Sequence, residues 1–427
     1  MLITNNIQIK KNFYKNLIIH FISLKDIKKF SSFIKKNLLK KEDIYIESYT
    51  NILNLKSKNC SQIKIKSFFN KKDFEKYKKY WLDMPNYNQE NLTPYKSIII
   101  YFKTKNGFEY FKEVLKIKIT DKTKYIYYPK ATKTSLLSHI WKGSPILLPK
   151  YPIYIISKGR WESRYTSKTL ELMKVPYYIV IEPQEYKQYS KVINKKKIKV
   201  LPFSNLGQGS IPARNWVWED AIKNGFEKHW ILDDNIQYFY RMQNNQVYRI
   251  FCSNLFYIIE NFVDRFENIA IAGMHYRYFF PKKTTKPPFY LNTRVYSNLL
   301  INNSLPFRWR GKFNEDTDLC LRVLKNNYCT ILFNNFLAGK ITTMVMKGGN
   351  TDELYKNTDK RKEFAKSLIN QHPDIVKMVW RYNRWHHQVD YSKFKNIKLI
   401  YKKGVEEKLN KENNEYGLYL IKKRGHL

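Results

Sequence analysis

Two short acidic clusters are the residues best equipped for chemistry. The first, Asp233-Asp234-Asn235, closes the apolar run Trp230-Ile231-Leu232. The second, Glu315-Asp316-Thr317-Asp318, opens a segment whose Leu319, Val323 and Leu324 have helical spacing. Adjacent carboxylates at the end of a buried strand are costly unless something cationic meets them. A divalent metal holding a diphosphate is the simplest partner, and oxygen ligands suit Mg2+ or Mn2+. The bland readings are a solvated acidic turn for the first cluster and helix capping by Asp316 or Thr317 for the second. Cations and glycines occur at matching places. Ser157-Lys158-Gly159-Arg160 follows a short apolar strand and can approach a nucleotide or its phosphates. Arg214-Asn215 opens a helix and suits a ribose or pyrophosphate. Gly348-Gly349-Asn350 reads as a flexible lid, a phosphate loop or a plain turn.

The elements that must position these groups are legible around the first cluster. Pro212 precedes a helix in which Trp216, Val217, Ala221 and Ile222 share a face, and Gly225 stops it. A tight turn then leads into a buried strand that ends in the acids. Upstream, Ile153–Ile156, Tyr177–Ile181 and Val200–Pro202 read as strands, with helices over Thr166–Met173 and Pro183–Tyr189. Strands alternating with helices predict an α/β fold with a parallel sheet covered on both faces, which binds ligands at the strands' carboxyl ends. Downstream strands are expected at Asn268–Gly273 and Cys329–Phe333, with a strand pair over Leu291–Ile301.

The first 148 residues contain a duplication. Leu17-Ile18-Ile19-His20-Phe21 matches Ile98-Ile99-Ile100-Tyr101-Phe102, and Ile44-Tyr45-Ile46 matches Tyr125-Ile126-Tyr127. Each copy reads as strand, helix, strand, together an α+β module that packs, docks or binds a polyanion. The expected division is this module at 1–148, the sheet domain at 149–370, and a basic, aromatic tail at 371–427. That tail carries Trp380, Arg381, Arg384, Trp385, His386 and His387, and interleaved Arg and Trp suit nucleic acid by charge and stacking.

The formal net charge is +42 in 427 residues, which favours a polyanionic partner. Lys far outnumbers Arg, and Asn, Ile and Tyr are abundant, so part of this excess reflects AT-rich coding. With 43% hydrophobic and 16% aromatic residues, global disorder is excluded. Cys60, Cys252, Cys320 and Cys329 form no CxxC pair, which argues against zinc and fits a reducing cytoplasm. No signal peptide or membrane span is expected.

Together these motifs resemble the GT-A type of nucleotide-sugar glycosyltransferase, and more specifically the TET-associated glycosyltransferase family of bacteriophages. The residues that carry the likeness are Ile155–Arg160, Pro212–Asn215, His229–Asn235, Asn314–Leu319 and Lys347–Asn350. The resemblance implies a Rossmann-like, mostly parallel sheet and transfer of a sugar, from a UDP-sugar or similar donor, to hydroxymethylated pyrimidines in DNA. A hydroxylating dioxygenase or a hydroxymethylating pathway would supply the acceptor, in the cytoplasm of a host cell if the protein is viral. Asp316 would be the general base, supported by Glu315 and Asp318. Ser157, Gly159, Arg160, Arg214, Asn215, Asp233 and Gly348-Gly349-Asn350 would hold the donor. Asp233, Asp234 and Asn235 would bind the metal, although Asn235 is a neutral, weaker ligand than a carboxylate. Arg277, Arg308, Arg310, Arg381 and Arg384 would meet the acceptor DNA. Two other classes fit the same residues: a non-catalytic nucleic-acid-binding protein, and a metal-dependent nuclease or nucleotidyltransferase.

Overall fold

A computed structural model describes residues 14–21, 23–37, 44–48, 77–116, 119–120, 122–129, 138–281, 284–311, 313–341, 361–381 and 383–423. The chain divides into two units. The smaller takes in Met1–Phe68, Glu90–Thr134 and Lys283–Thr285; the larger takes in Phe69–Gln89, Ser135–Lys282 and Lys286–Leu427.

In the smaller unit each sequence copy is a strand, a helix and a strand: β1 (Lys15–Phe21), α1 (Leu24–Asn37), β2 (Ile44–Ser48), then β3 (Lys96–Phe102), α2 (Lys105–Leu115), β4 (Tyr125–Tyr128). Ser23 and Asp26 cap α1 reciprocally, and the Thr104 hydroxyl caps α2 by accepting from the Gly107 N–H. The sheet order is β2-β3-β1-β4. Its core is Leu17, Ile19 and Phe21 against Ile98, Ile100, Phe108 and Phe111. The copies are not symmetric in space: β4 runs parallel to β1, whereas β2 runs antiparallel to β3.

The larger unit is built on a sheet of 12 strands. Its elements in chain order are β5 (His139–Gly143), β6 (Ile153–Ile156), α3 (Tyr165–Leu172), β7 (Tyr178–Ile181), α4 (Tyr186–Tyr189), β8 (Ile198–Val200), α5 (Ile211–Lys223), β9 (Lys228–Asp233), β10 (Ile236–Gln243), β11 (Gln246–Ile250), α6 (Asn254–Asp264), β12 (Ile269–Tyr276), β13 (Phe289–Leu291), β14 (Asn298–Asn302), α7 (Glu315–Lys325), β15 (Cys329–Lys340), α8 (Arg361–Gln371), β16 (Val376–Arg381), β17 (Arg384–Val389) and β18 (Leu418–Lys422). The order across the sheet is β18-β5-β11-β10-β15-β12-β14-β9-β6-β7-β8, with β13 also on β15.

The expectation of a mostly parallel sheet is corrected: the sheet is mixed. Strands β9-β6-β7-β8 are parallel, joined by helical crossovers. Beyond them β14 is antiparallel to both β9 and β12, and β10, β11 and β13 add further antiparallel pairs. The physical reason is connection length, since a parallel return needs a crossover whereas a short turn reverses the strand. Asn244 and Asn245, both at positive φ, make such a turn between β10 and β11.

Both faces of the parallel strands are buried. Ile153, Ile155, Trp230 and Leu232 feed one core, with Leu170 of α3 and Leu255, Phe256 and Phe262 of α6. Tyr154 and Ile231 feed the other, with Val217, Trp218 and Ala221 of α5 and Leu319, Cys320 and Val323 of α7. Alternate residues on opposite faces account for the uninterrupted apolar runs.

Two segments lie elsewhere than expected. His139–Gly143, assigned by sequence to the N-terminal module, is a strand of the large sheet. The C-terminal segment is no peripheral tail: β18 pairs with β5, and Glu415 meets the fully buried Arg241. Cys252, Cys320 and Cys329 are buried free thiols, and Cys60 lies outside the described residues. Among the described residues no helix is long and apolar enough to cross a membrane.

Candidate active site

The carboxyl ends of β6, β7 and β9 and the N-termini of α5 and α7 enclose a cleft of about 370 Å³. It lies where open α/β sheets bind their ligands. Its walls include Ser157, Arg160, Arg214, Asp233, Asp234, Asn235, Glu315 and Asp316, so both acidic clusters face one space.

Asp233 ends β9, and its side chain lies between two cations. Arg214 Nη2 donates to Oδ1 at 3.1 Å, and Lys340 Nζ donates to Oδ2 at 2.6 Å. Burial alone would raise its pKa; Lys340 and Arg214 overcome that and hold it at about 2. Asp234 is 5% exposed. It accepts from Ser157 Oγ at 2.7 Å and from Arg160 Nη1. Burial still raises its pKa despite Arg160 and Ser157. Asn235 donates to the Ile341 carbonyl at 3.2 Å, and its Oδ1 is buried with no hydrogen-bond partner.

The loop after β6 is shaped around Asp234. Gly159 turns at φ +67°, where a side chain would be strained, and its N–H donates to Glu185 Oε1 at 2.7 Å. The Tyr189 hydroxyl accepts from the Arg160 N–H at 3.2 Å and shares a 2.6 Å hydrogen bond with Ser157 Oγ. The glycine lets the loop fold back, and α4 with its preceding turn fastens it there.

At the opposite wall, Asn314 in the left-handed conformation starts α7, and Glu315, Asp316 and Asp318 fill its first turn. Carboxylates are favoured there by the helix dipole. Arg214, 3% exposed, reaches across: its guanidinium lies 3.5 Å from Asp316 Oδ1 and 3.9 Å from Glu315. Trp309 stacks on it at 4.6 Å. Asp316 Oδ1 makes no hydrogen bond. Burial pushes the Asp316 pKa up to about 7; Arg214 pulls it down, and Glu315 and Asp233 push it further up. A carboxyl that titrates near neutrality beside an ionised Asp233 is the separation of acid and base roles that catalysis uses.

Several sequence-expected residues lie outside this cleft. Asn215 follows Arg214 on α5, about 100° further round the helix, and its amide is spent on the Trp309 backbone at 2.8 and 3.0 Å. Asp318, expected beside the base, is fully buried on the other side of α7. It binds His372 Nε2 at 2.9 Å, Arg322 Nε at 2.8 Å and Arg310 Nη2 at 3.0 Å. Arg310 is thereby tied to Asp318, and Arg308 to Glu219 at 2.5 Å and to backbone carbonyls. Arg277 stacks on Tyr240 at 4.7 Å. Arg381 and Arg384 face each other at the tip of the β16–β17 hairpin. Gly348, Gly349 and Asn350 lie outside the described residues.

Sequence reasoning missed Lys340, Arg294, Tyr296 and Ser297, all of which line the cleft; Tyr276, which opens the aromatic stretch expected to stack on the acceptor base, lines it too. Lys340 carries the one available signal: it is the cation that ends β15 after ten buried positions. That strand's register brings it opposite Ile236, beside the acidic motif.

The arrangement does not fit a divalent ion. Both oxygens of Asp233 are paired with cations, and those of Asp234 with Arg160 and Ser157. A hard cation needs several charged oxygens at once. The motif oxygen that is left, Asn235 Oδ1, is neutral and enclosed. Among the described residues no group of three or more His, Cys, Asp or Glu is placed to hold a metal.

Residues 151–349 match the family model for TET-associated glycosyltransferases. This part of the chain belongs to that family. The TET-associated glycosyltransferase segment contains the whole cleft: β6, β7, β9, α5, α7 and Lys340 all fall within it. No curated protein matches the chain. Among solved structures, the chain is similar to a proposed nucleotide-diphospho-sugar transferase from Desulfovibrio desulfuricans G20, at 9% identity and a TM-score of 0.30. The match covers 53% of this chain and 99% of that one, and a likeness at that level carries no argument about function.

Proposed function

We propose that the larger unit is a GT-A-type glycosyltransferase that moves a sugar from a nucleotide-sugar donor to a hydroxymethylated pyrimidine in DNA. The observation that carries this reading is Asp316: a cleft carboxyl whose Oδ1 accepts no hydrogen bond, 3.5 Å from Arg214, with a pKa pushed up to about 7, at the sheet's ligand-binding end. The family's association with TET supports a hydroxymethylated acceptor, with a base-hydroxylating dioxygenase as the supplying activity. The net charge of +42 supports a nucleic-acid acceptor.

In this mechanism Asp316 takes the proton from the acceptor hydroxyl as its oxygen attacks the anomeric carbon. A new carbon–oxygen bond forms, the bond from the anomeric carbon to the diphosphate breaks, and the nucleoside diphosphate leaves with the electron pair. Arg160, Arg214 and Lys340 are the cations placed to meet its charge. Asp233 and Asp234 hold those cations in position and, in this reading, do not bind Mg2+ or Mn2+. Ser157 and Gly159 shape the loop beside the donor.

The test is incubation with a panel of nucleotide sugars, with and without DNA containing hydroxymethylcytosine or hydroxymethyluracil. Free nucleoside diphosphate should accumulate with one donor class and only with hydroxymethylated DNA. DNA cleavage or nucleotide incorporation in its place would assign the site to a nuclease or nucleotidyltransferase.

A further inference from the structure

A second cavity of about 360 Å³ adjoins the cleft. That volume is within the ~300–1,000 Å³ range usual for small-molecule sites. Arg294, Tyr296 and Thr317 line both spaces, and Thr317 is the residue after Asp316. The second cavity differs in chemistry from the first. The cleft is walled by carboxylates and cations, whereas here the walls are His275, Tyr290, His387, Val389 and Tyr391.

The polar atoms in this cavity are suited to a neutral, planar ligand. The Asn334 amide is oriented by its own donation to the Pro287 carbonyl at 2.9 Å. Its Oδ1 therefore accepts from His275 Nδ1 at 3.0 Å, and this leaves His275 Nε2 as an acceptor. His387 makes no hydrogen bond among the described residues and keeps one donor and one acceptor. Burial lowers the pKa of both rings, with Arg294 adding to the effect, so both are neutral at pH 7. The Arg294 guanidinium stacks on Tyr296 at 4.6 Å and forms no ion pair among the described residues. Tyrosine rings, neutral imidazoles and a guanidinium with no carboxylate partner among the described residues are what an extruded base needs for stacking and edge recognition, with the guanidinium's charge available to a phosphate.

We infer that this second cavity receives the acceptor base, a pyrimidine turned out of the DNA strand, with its hydroxymethyl group directed past Thr317 to Asp316. The inference rests on the transferase reading for the direction of the substituent, but the binding it describes can be measured alone.

The experiment uses the full chain and single-stranded oligonucleotides that differ at one position: hydroxymethylcytosine, hydroxymethyluracil or an abasic site. Affinity is read by fluorescence anisotropy in the presence of nucleoside diphosphate. The wild-type protein should prefer a base-containing strand over the abasic one by about tenfold or more, the scale of one stacked base. His387→Ala, which removes an edge contact, and Val389→Trp, which fills the space, should each abolish that preference. Neither should change nucleoside diphosphate affinity, which also shows that both variants fold. Retention of the preference in both variants, or its absence in the wild type, overturns the inference. Sugar transfer by a wild type that shows no base preference would leave the transferase reading standing and remove the cavity from it. A base preference lost in the variants, in a protein that transfers no sugar, would do the reverse.

Discussion

Asp316 and Asp233 lie on either side of the same arginine yet are driven to opposite ends of the carboxylate range. Asp233 is held at about 2 by Lys340 and Arg214, whereas burial brings Asp316 up to about 7. A base of this kind works only when ionised. The rate of transfer should therefore rise as pH increases through about 7, and initial rates across a pH series check this; a rate that falls over that range would contradict the assignment. The cation positions give a second prediction. Lys340→Met removes the charge on Asp233 Oδ2 and should weaken nucleotide-sugar binding by roughly tenfold or more, the scale of a lost charge-assisted hydrogen bond. EDTA should leave wild-type transfer unchanged, and an absolute requirement for added Mn2+ or Mg2+ would show that the motif releases its cations to a metal. The acids were legible in the sequence because they are contiguous. Lys340 was not, because 107 residues separate it from the carboxylate it serves and only strand register joins them.

Helix α7 divides its first turn between two tasks. Glu315 and Asp316 face the cleft, while Asp318 turns inward to His372, Arg310 and Arg322. The sequence placed all three acids together in one catalytic role because a run of acids does not show which side of a helix faces solvent. Asp318→Ala leaves three cationic or hydrogen-bonding partners around an empty position. It should cost about 3–5 kcal/mol in stability, as loss of one member of a buried ion cluster does. Denaturant unfolding checks this, and an unchanged midpoint with lost turnover would return Asp318 to the chemistry. The stretch from α5 to β9 was legible because its helix face, glycine stop and apolar strand agree with one another. The antiparallel placement of β14 was not: its apolar run was visible as part of an expected strand pair, but only its partners β9 and β12 fix where it lies in the sheet.

Across the whole molecule, charge and aromatic exposure point the same way. Trp380 and Trp385 meet edge to face across the β16–β17 hairpin with centroids 5.1 Å apart, at 57% and 36% exposure, next to Arg381 and Arg384. His387 and Val389 of the same hairpin line the second cavity. Binding to DNA should weaken by about 10³- to 10⁵-fold between 50 and 200 mM salt if ~6–10 phosphates are contacted. Trp380→Ala with Trp385→Ala should weaken it at every salt concentration without altering the slope. Filter binding or anisotropy over a salt series reads both, and a flat salt response would exclude a phosphate-dominated interface. The basic, aromatic character of this region was readable from sequence. Its docking through Phe394, Leu399 and β18 was not, since those contacts are made with elements far away in the chain.

If the cleft is a glycosyltransferase site, sugar transfer depends on Asp316. Wild type and Asp316→Asn are compared on hydroxymethylated DNA with the active nucleotide sugar, and the digested nucleosides are weighed by mass spectrometry. The wild type should convert the hydroxymethyl nucleoside to its glycoside. The variant should bind the donor as tightly but turn over about 10²- to 10⁴-fold more slowly, the usual worth of a general base. Full activity in Asp316→Asn, or no glycoside from the wild type with any donor, would contradict the account.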